Sequence, residues 1–127
     1  MHESYLYEYA VIRVIPRLER EEFVNVGVIL FCKRKKFLQM RYLVVKEKIQ
    51  AICKEFDIEQ VAQNLESFQL IAEGNKKAGP IAALEVSERF RWITAVKSSS
   101  IQTSRPHPGY TQDLETTFER LYRELVL

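Results

Sequence analysis

Residues 23–32, Phe-Val-Asn-Val-Gly-Val-Ile-Leu-Phe-Cys, decide the fold. Valine, isoleucine and phenylalanine dominate the run, and such side chains fit the pleated surface of a strand. With the two-residue period of a strand, Val24, Val26, Val28, Leu30 and Cys32 share one face. Phe23, Asn25, Gly27, Ile29 and Phe31 share the other. A strand this apolar belongs near the centre of a sheet.

Working outward, residues 5–15 read as its upstream neighbour. Tyr5, Tyr7, Tyr9, Val11 and Ile15 point one way; Leu6, Ala10, Ile12 and Val14 point the other. Pro16 has no N–H for a ladder and is expected to end this strand. The charged residues 17–22 connect the two. Downstream, Lys33-Arg34-Lys35-Lys36 lacks the Asn-Gly signature of the tightest hairpins, so a four-residue loop is expected. Phe37 to Val45 then returns as a third strand, which completes an antiparallel meander.

Helical spacing takes over next. Ile49, Ile52, Cys53 and Phe56 recur at i, i+3, i+4 and i+7. Asp57 with Gln60 resembles a capping box, Ile58, Val61, Ala62 and Leu65 form a second stripe, and Gly74 is placed to stop that helix. Residues 74–80 read as a loop, and 81–88 as either a short helix or an extended connection. Arg89 to Val96 alternates as a strand, with Arg89 and Arg91 on one side and Phe90 and Trp92 on the other. Ile101–Ser104 is a short strand or a loop, after which Pro106 and Pro108-Gly109 are expected to prevent regular structure. Thr111 to Val126 is a final helix with a stripe of Leu114, Phe118, Leu121, Tyr122 and Leu125. Glu119–Arg123 and Arg120–Glu124 fall at i,i+4 on its outer side.

Strands precede helices, so the expected class is α+β: an antiparallel sheet with helices packed on one side. The sheet combines the three-strand N-terminal meander with one or two later strands. With 127 residues, no internal repeat and no linker-like stretch, a single domain over residues 1–127 is expected.

Composition bounds the function. Hydrophobic residues make up 46% and charged residues 28%, the balance of a globular protein rather than a disordered one. No apolar run reaches the ~18 residues of a membrane span, so no membrane partner is expected. Met1-His2-Glu3 carries an acid where a signal peptide carries bases, and the expected location is cytoplasmic. Cys32 and Cys53 lack metal-ligand spacing and are expected as reduced, buried thiols. The formal charge of +2 is too small to mark a nucleic-acid binder by itself. It is unevenly spread, however. Residues 1–50 hold ten basic and six acidic side chains, and residues 89–112 hold Arg89, Arg91, Lys97 and Arg105 with no carboxylate.

Residue chemistry excludes more than it identifies. His2 and His107 stand apart from each other and from any cysteine pair, so no zinc site and no cofactor are expected. There is no Gly-x-Ser-x-Gly elbow and no phosphate-cradling glycine motif, so no catalytic residue is assigned. Two polar groups interrupt the apolar strands: Arg13 and Asn25. One reading makes them an internal tie between neighbouring strands, with a glutamate such as Glu22. The other makes them part of a concave site facing an anion. Arg89, Arg91, Ser98, Ser99, Gln102 and Arg105 supply donors suited to phosphate or carboxylate. The Lys33–Lys36 tip has the charge to meet a nucleic-acid backbone. It has no stacking aromatic in its own loop, so nucleic acid ranks as the less favoured partner.

Several of these stretches resemble a known family. They are Tyr9 to Pro16, Arg20 to Leu30, Arg89 to Thr94 and Ser98 to Ser104. Together they resemble the bacterial family known as domain of unknown function 3037. The positions matching its motifs are Arg13, Pro16, Arg20, Glu22, Asn25, Gly27, Arg89, Phe90, Trp92, Ser98, Ser99, Gln102 and Ser104. The resemblance implies a small cytoplasmic protein, loosely associated with neighbouring kinase-like proteins of the toxin–antitoxin type. It also implies that motif positions from distant segments converge, with Arg13, Arg20, Glu22 and Asn25 facing Arg89, Ser98, Ser99 and Gln102.

Two functional expectations follow. The first is a non-enzymatic accessory domain that binds a partner protein or an anionic ligand through that Arg/Asn/Ser cluster. The alternative is a metal-assisted phosphoryl-transfer or nucleic-acid-processing enzyme, with magnesium on Glu19, Glu21 or Glu22 and charge stabilisation from Arg13, Arg20 and Arg89. Apolar surface beside Tyr5, Tyr7 and Tyr9 also leaves room for a homodimer.

Overall fold

The computed structural model of the chain describes residues 3–95 and 100–127. Among these residues are five strands: β1 Tyr5–Arg17, β2 Glu22–Cys32, β3 Phe37–Tyr42, β4 Ile101–Thr103 and β5 His107–Thr111. They form one sheet in the order β3-β2-β1-β4, with β5 also pairing β1, and every pairing is antiparallel. β4 takes Ile12–Val14 and β5 takes Tyr5–Tyr9, so the two short strands run one after the other along the same edge of β1. Four helices complete the described fold: α1 Lys46–Gln50, α2 Ile58–Glu73, α3 Val86–Thr94 and α4 Leu114–Leu125. The class is α+β, with the expected meander and two later strands.

The helices lie on both faces of the sheet, not on one. Ala10, Ile12, Val14, Ile29 and Phe31 pack with Ile49 of α1, Val61 and Leu65 of α2, and Phe90 and Ile93 of α3. Tyr7, Val28, Leu30 and Cys32 pack instead with Leu114, Phe118, Leu121 and Tyr122 of α4. Alternate residues of β1 and β2 thus serve opposite cores, which explains why both strands are apolar on both sides.

A β-bulge changes which residues share a face. Ile12 pairs with Gly27 and the next residue, Arg13, pairs with Asn25, leaving Val26 as the extra residue. Val26 therefore joins the core under α2 and α3, whereas Val28 joins the core under α4. Asn25 moves off the Ile29 face expected from strict alternation and stands beside Arg13. Gly27 is required there, because a Cβ would meet the Arg41 carbonyl oxygen at 2.8 Å.

Three further expectations are corrected. Pro16 does not end β1, which continues to Arg17; it sits in the irregular register between Val14 and Arg17, where no ladder bond is lost. Arg89–Thr94 is helix rather than strand, since Val86, Phe90 and Ile93 repeat at helical spacing and pack inward. Pro108 and Gly109 lie within β5, an edge strand that needs N–H groups on one side only. Gly109 also admits the Tyr7 ring, which a Cβ would approach to 2.5 Å.

The helix expected through Ile49–Phe56 is instead the single short α1, which ends at Gln50 and gives way to turns, while other local signals operate as read. The loop between β2 and β3 is the four residues Lys33–Lys36, closed by a 3.2 Å bond from Lys36 N–H to the Lys33 carbonyl. Asp57 caps α2 by accepting the Gln60 N–H at 3.1 Å, and Gly74 ends it at φ 70°. The box is half-formed, because the Gln60 side chain donates to Asn64 instead. Both cysteines are free; Cys32 is buried and Cys53 half-buried.

Candidate functional site

The bulge and the β4 pairing align three polar side chains. Arg13 lies opposite Asn25 on one side and Gln102 on the other, so the three form a row across β2, β1 and β4. Paired residues share a face, here the α4 face. Asn25 donates through Nδ2 to the Leu125 carbonyl at 3.1 Å, which ties β2 to the last turn of α4. The Arg13 guanidinium stacks 4.3 Å above the Phe23 ring. Arg13 Nε and Asn25 Oδ1 are buried without a hydrogen-bond partner among the described residues. A donor and an acceptor thus sit on cross-strand neighbours. Glu22 takes no part in this row, being paired with Arg20 at the exposed β1–β2 connection.

Arg89 lies on the other side of the sheet. It donates through Nη1 to the carbonyls of Ile71 at 3.1 Å and Ala72 at 3.0 Å. A helix leaves its last carbonyls without intrahelical donors, and Arg89 supplies them for α2. Gly74 makes room for it, since a Cβ there would stand 2.7 Å from Nη1. The expected convergence of Arg13 and Asn25 with Arg89 therefore does not occur: the sheet separates them. Gln102 joins the Arg13 side. Arg91 reaches from α3 to Glu8, with Nη1 3.2 Å from Oε2, an ion pair without an aligned hydrogen bond. Arg105 is exposed. Ser98 and Ser99 lie outside the described residues.

Ser104 has a structural role. Its hydroxyl accepts the Val11 N–H at 2.9 Å, and its own N–H donates to the Val11 carbonyl at 2.8 Å. It bridges the gap between β4 and β5 with a side chain.

What the fold does bring together is a set of cations at the other end of the sheet. The Lys33–Lys36 loop reaches the start of α3, and Lys33, Lys36, Arg89, Glu85 and Ser87 line a cleft of about 330 Å³ with Phe31 at its base. Among the described residues neither lysine has a carboxylate within ion-pair distance, whereas Arg20, Arg34, Arg41, Arg91 and Arg120 all do. Lys36 holds φ at 50°, a left-handed conformation more usual for glycine or asparagine. The sequence keeps a long cation where turn geometry favours a small residue. Glu85 and Ser87 were not recognisable as site residues, because their placement depends on α3 being a helix.

Among the described residues no three histidine, cysteine, aspartate or glutamate side chains stand close enough to hold a metal ion. Among the described residues no helix is long and apolar enough to cross a membrane.

The model of the family described as Protein of unknown function (DUF3037) matches residues 9–126. The chain belongs to the DUF3037 family. No curated protein and no solved structure matches it. The DUF3037 match runs from the middle of β1 to the end of α4 and so takes in both the polar row and the basic cleft. Within this DUF3037 chain, several positions that carry the resemblance have architectural roles. Gly27 permits the bulge, Arg89 finishes α2, Phe90 stacks on Phe31 at 4.9 Å, and Ser104 closes the β1 edge.

Proposed function

We propose that this protein is a non-enzymatic accessory domain of the bacterial cytoplasm that binds an anionic ligand, or an acidic segment of a partner protein, in the cleft between the 33–36 loop and α3. The observation that carries this reading is the gathering of Lys33, Lys36 and Arg89 around one hollow, with both lysines free of carboxylate partners among the described residues. Unpaired ammonium groups lose little on meeting an anion, because no existing ion pair must be broken. The nearby Glu85 and Ser87 favour a ligand that offers hydrogen-bond donors as well as charge.

The half-buried Arg13–Asn25–Gln102 row is read as linking strands to α4 through the Asn25–Leu125 bond rather than as the ligand site. The association implied by the family resemblance makes a neighbouring kinase-like protein the first partner to try. The magnesium-dependent enzyme alternative has no observation in its favour: Glu22 is engaged with Arg20, and no metal-holding cluster forms among the described residues.

The test is a titration of isotope-labelled protein with inorganic polyphosphate and with an aspartate-rich peptide, followed amide by amide. Shifts confined to residues 33–36 and 85–91 support the reading. Shifts centred on Arg13 and Asn25, or none at all, overturn it.

A further inference from the structure

The basic cleft continues into two more hollows along the uncovered end of the sheet. Lys33 lines all three. Beyond Phe31, Arg91 and the Glu8 carboxylate that Arg91 offsets, the path opens into a groove of about 500 Å³ between Lys33, Arg34, Leu6 and Tyr110. Tyr110 stands directly opposite Leu6 in the β1–β5 ladder and is 73% exposed, more than any other large apolar side chain described. A ring held on a strand and left this open is available for a flat ligand group to stack on.

We propose, resting on the anion-binding reading above, that the occupant is a short single-stranded nucleic acid, with one base stacked on Tyr110 and its phosphates on Lys33, Arg34 and Lys36. The Lys33–Lys36 loop has no stacking aromatic of its own; β5 brings one beside it. A cationic track with an exposed ring is the combination that holds unpaired strands, because every base has a π-face and every linkage a charge. A duplex cannot use the ring, since its bases are already stacked. An acidic peptide satisfies the cations and covers Tyr110 only where it happens to carry an apolar or aromatic side chain, whereas every nucleotide carries a base. Arg34 pairs with Glu3 at 3.2 Å between two exposed side chains and lies 5.6 Å above the Tyr5 ring, and such a surface ion pair exchanges readily for a phosphate.

The experiment is fluorescence anisotropy of a labelled single-stranded oligonucleotide, with the matching duplex, inorganic polyphosphate and an aspartate-rich peptide as separate ligands. The proteins are the natural chain, Tyr110→Ala, Tyr110→Phe and the double variant Lys33→Glu/Lys36→Glu. Circular dichroism confirms that each is folded; Tyr110 and the loop lie outside both cores. The proposal predicts that the single strand binds more tightly than the duplex. Tyr110→Ala weakens the single strand by about tenfold or more, Tyr110→Phe does not, and polyphosphate binding ignores both. The lysine variant loses every anion. If polyphosphate binds but the oligonucleotide is indifferent to Tyr110→Ala, the nucleic-acid proposal falls and the anion-binding reading stands. If the peptide binds and the oligonucleotide does not, the partner is an acidic protein segment and the proposal again falls. If no anion binds, both fall together.

Discussion

Ser104 and Val11 exchange two hydrogen bonds across the break between β4 and β5: Val11 N–H to Ser104 Oγ at 2.9 Å, and Ser104 N–H to the Val11 carbonyl at 2.8 Å. A hydroxyl here replaces the backbone carbonyl that a continuous strand would present. Both residues are buried, so water cannot substitute for a lost partner.

Ser104→Ala therefore leaves the Val11 N–H without an acceptor, at a cost of about 1–3 kcal/mol. Urea unfolding should show the midpoint falling with little change in slope. An unchanged midpoint would mean that the hydroxyl does not support the edge.

Arg89 and Gly74 should behave as a coupled pair. Removing the guanidinium in Arg89→Ala deprives the Ile71 and Ala72 carbonyls of a charged donor, and bonds to charged groups contribute about 1.5–3 kcal/mol each. The variant is expected to lose stability, contrary to the behaviour of a purely ligand-facing arginine. Gly74→Ala adds a steric conflict with Nη1 to the cost of a left-handed alanine. In an Arg89→Ala background only the backbone part remains, so a double-mutant cycle should give a clear coupling. Strict additivity would show that the two do not touch in solution.

Acid should loosen α4 first. The Arg41 guanidinium, bonded twice to Glu119 at 2.8 Å, holds that carboxyl below its ordinary range. The Thr116 N–H and hydroxyl do the same for Asp113, the N-cap of α4. A carboxyl depressed in the folded state stabilises it fully above the ordinary carboxylate range, and that contribution disappears as pH falls through the depressed values. Both groups are at the surface, so salt should shrink the effect. Glu119→Gln and Asp113→Asn should each flatten the acid limb of a stability–pH curve; a limb unaltered in both would refute this origin.

Local chemistry was legible in the sequence, and spatial partnership was not. The four-residue loop at Lys33–Lys36, the Asp57 cap and the Gly74 stop all depend on residues within a few positions of one another. Residues 89–94 misled because Arg-Phe-Arg-Trp fits a period of two, while the helical stripe of Val86, Phe90 and Ile93 begins earlier. One extra residue at Val26 sufficed to turn Asn25 to the other face, and no pattern in the run announces a bulge beyond the presence of Gly27. The face taken by α4 is a tertiary choice, hidden in a strand pair that is apolar on both sides. The candidate site was half visible. The lysines stand out as a charge run, but Arg89, Glu85 and Tyr110 join them only through the packing of α3 and β5.

The most direct test of the account is the affinity for inorganic polyphosphate of the natural protein against the Lys33→Glu/Lys36→Glu variant, measured by calorimetry at low and moderate salt. Binding to the natural chain that weakens with salt and is lost in the folded variant is the predicted result. Equal affinity in the two proteins would place the anion elsewhere and contradict the assignment of the cleft.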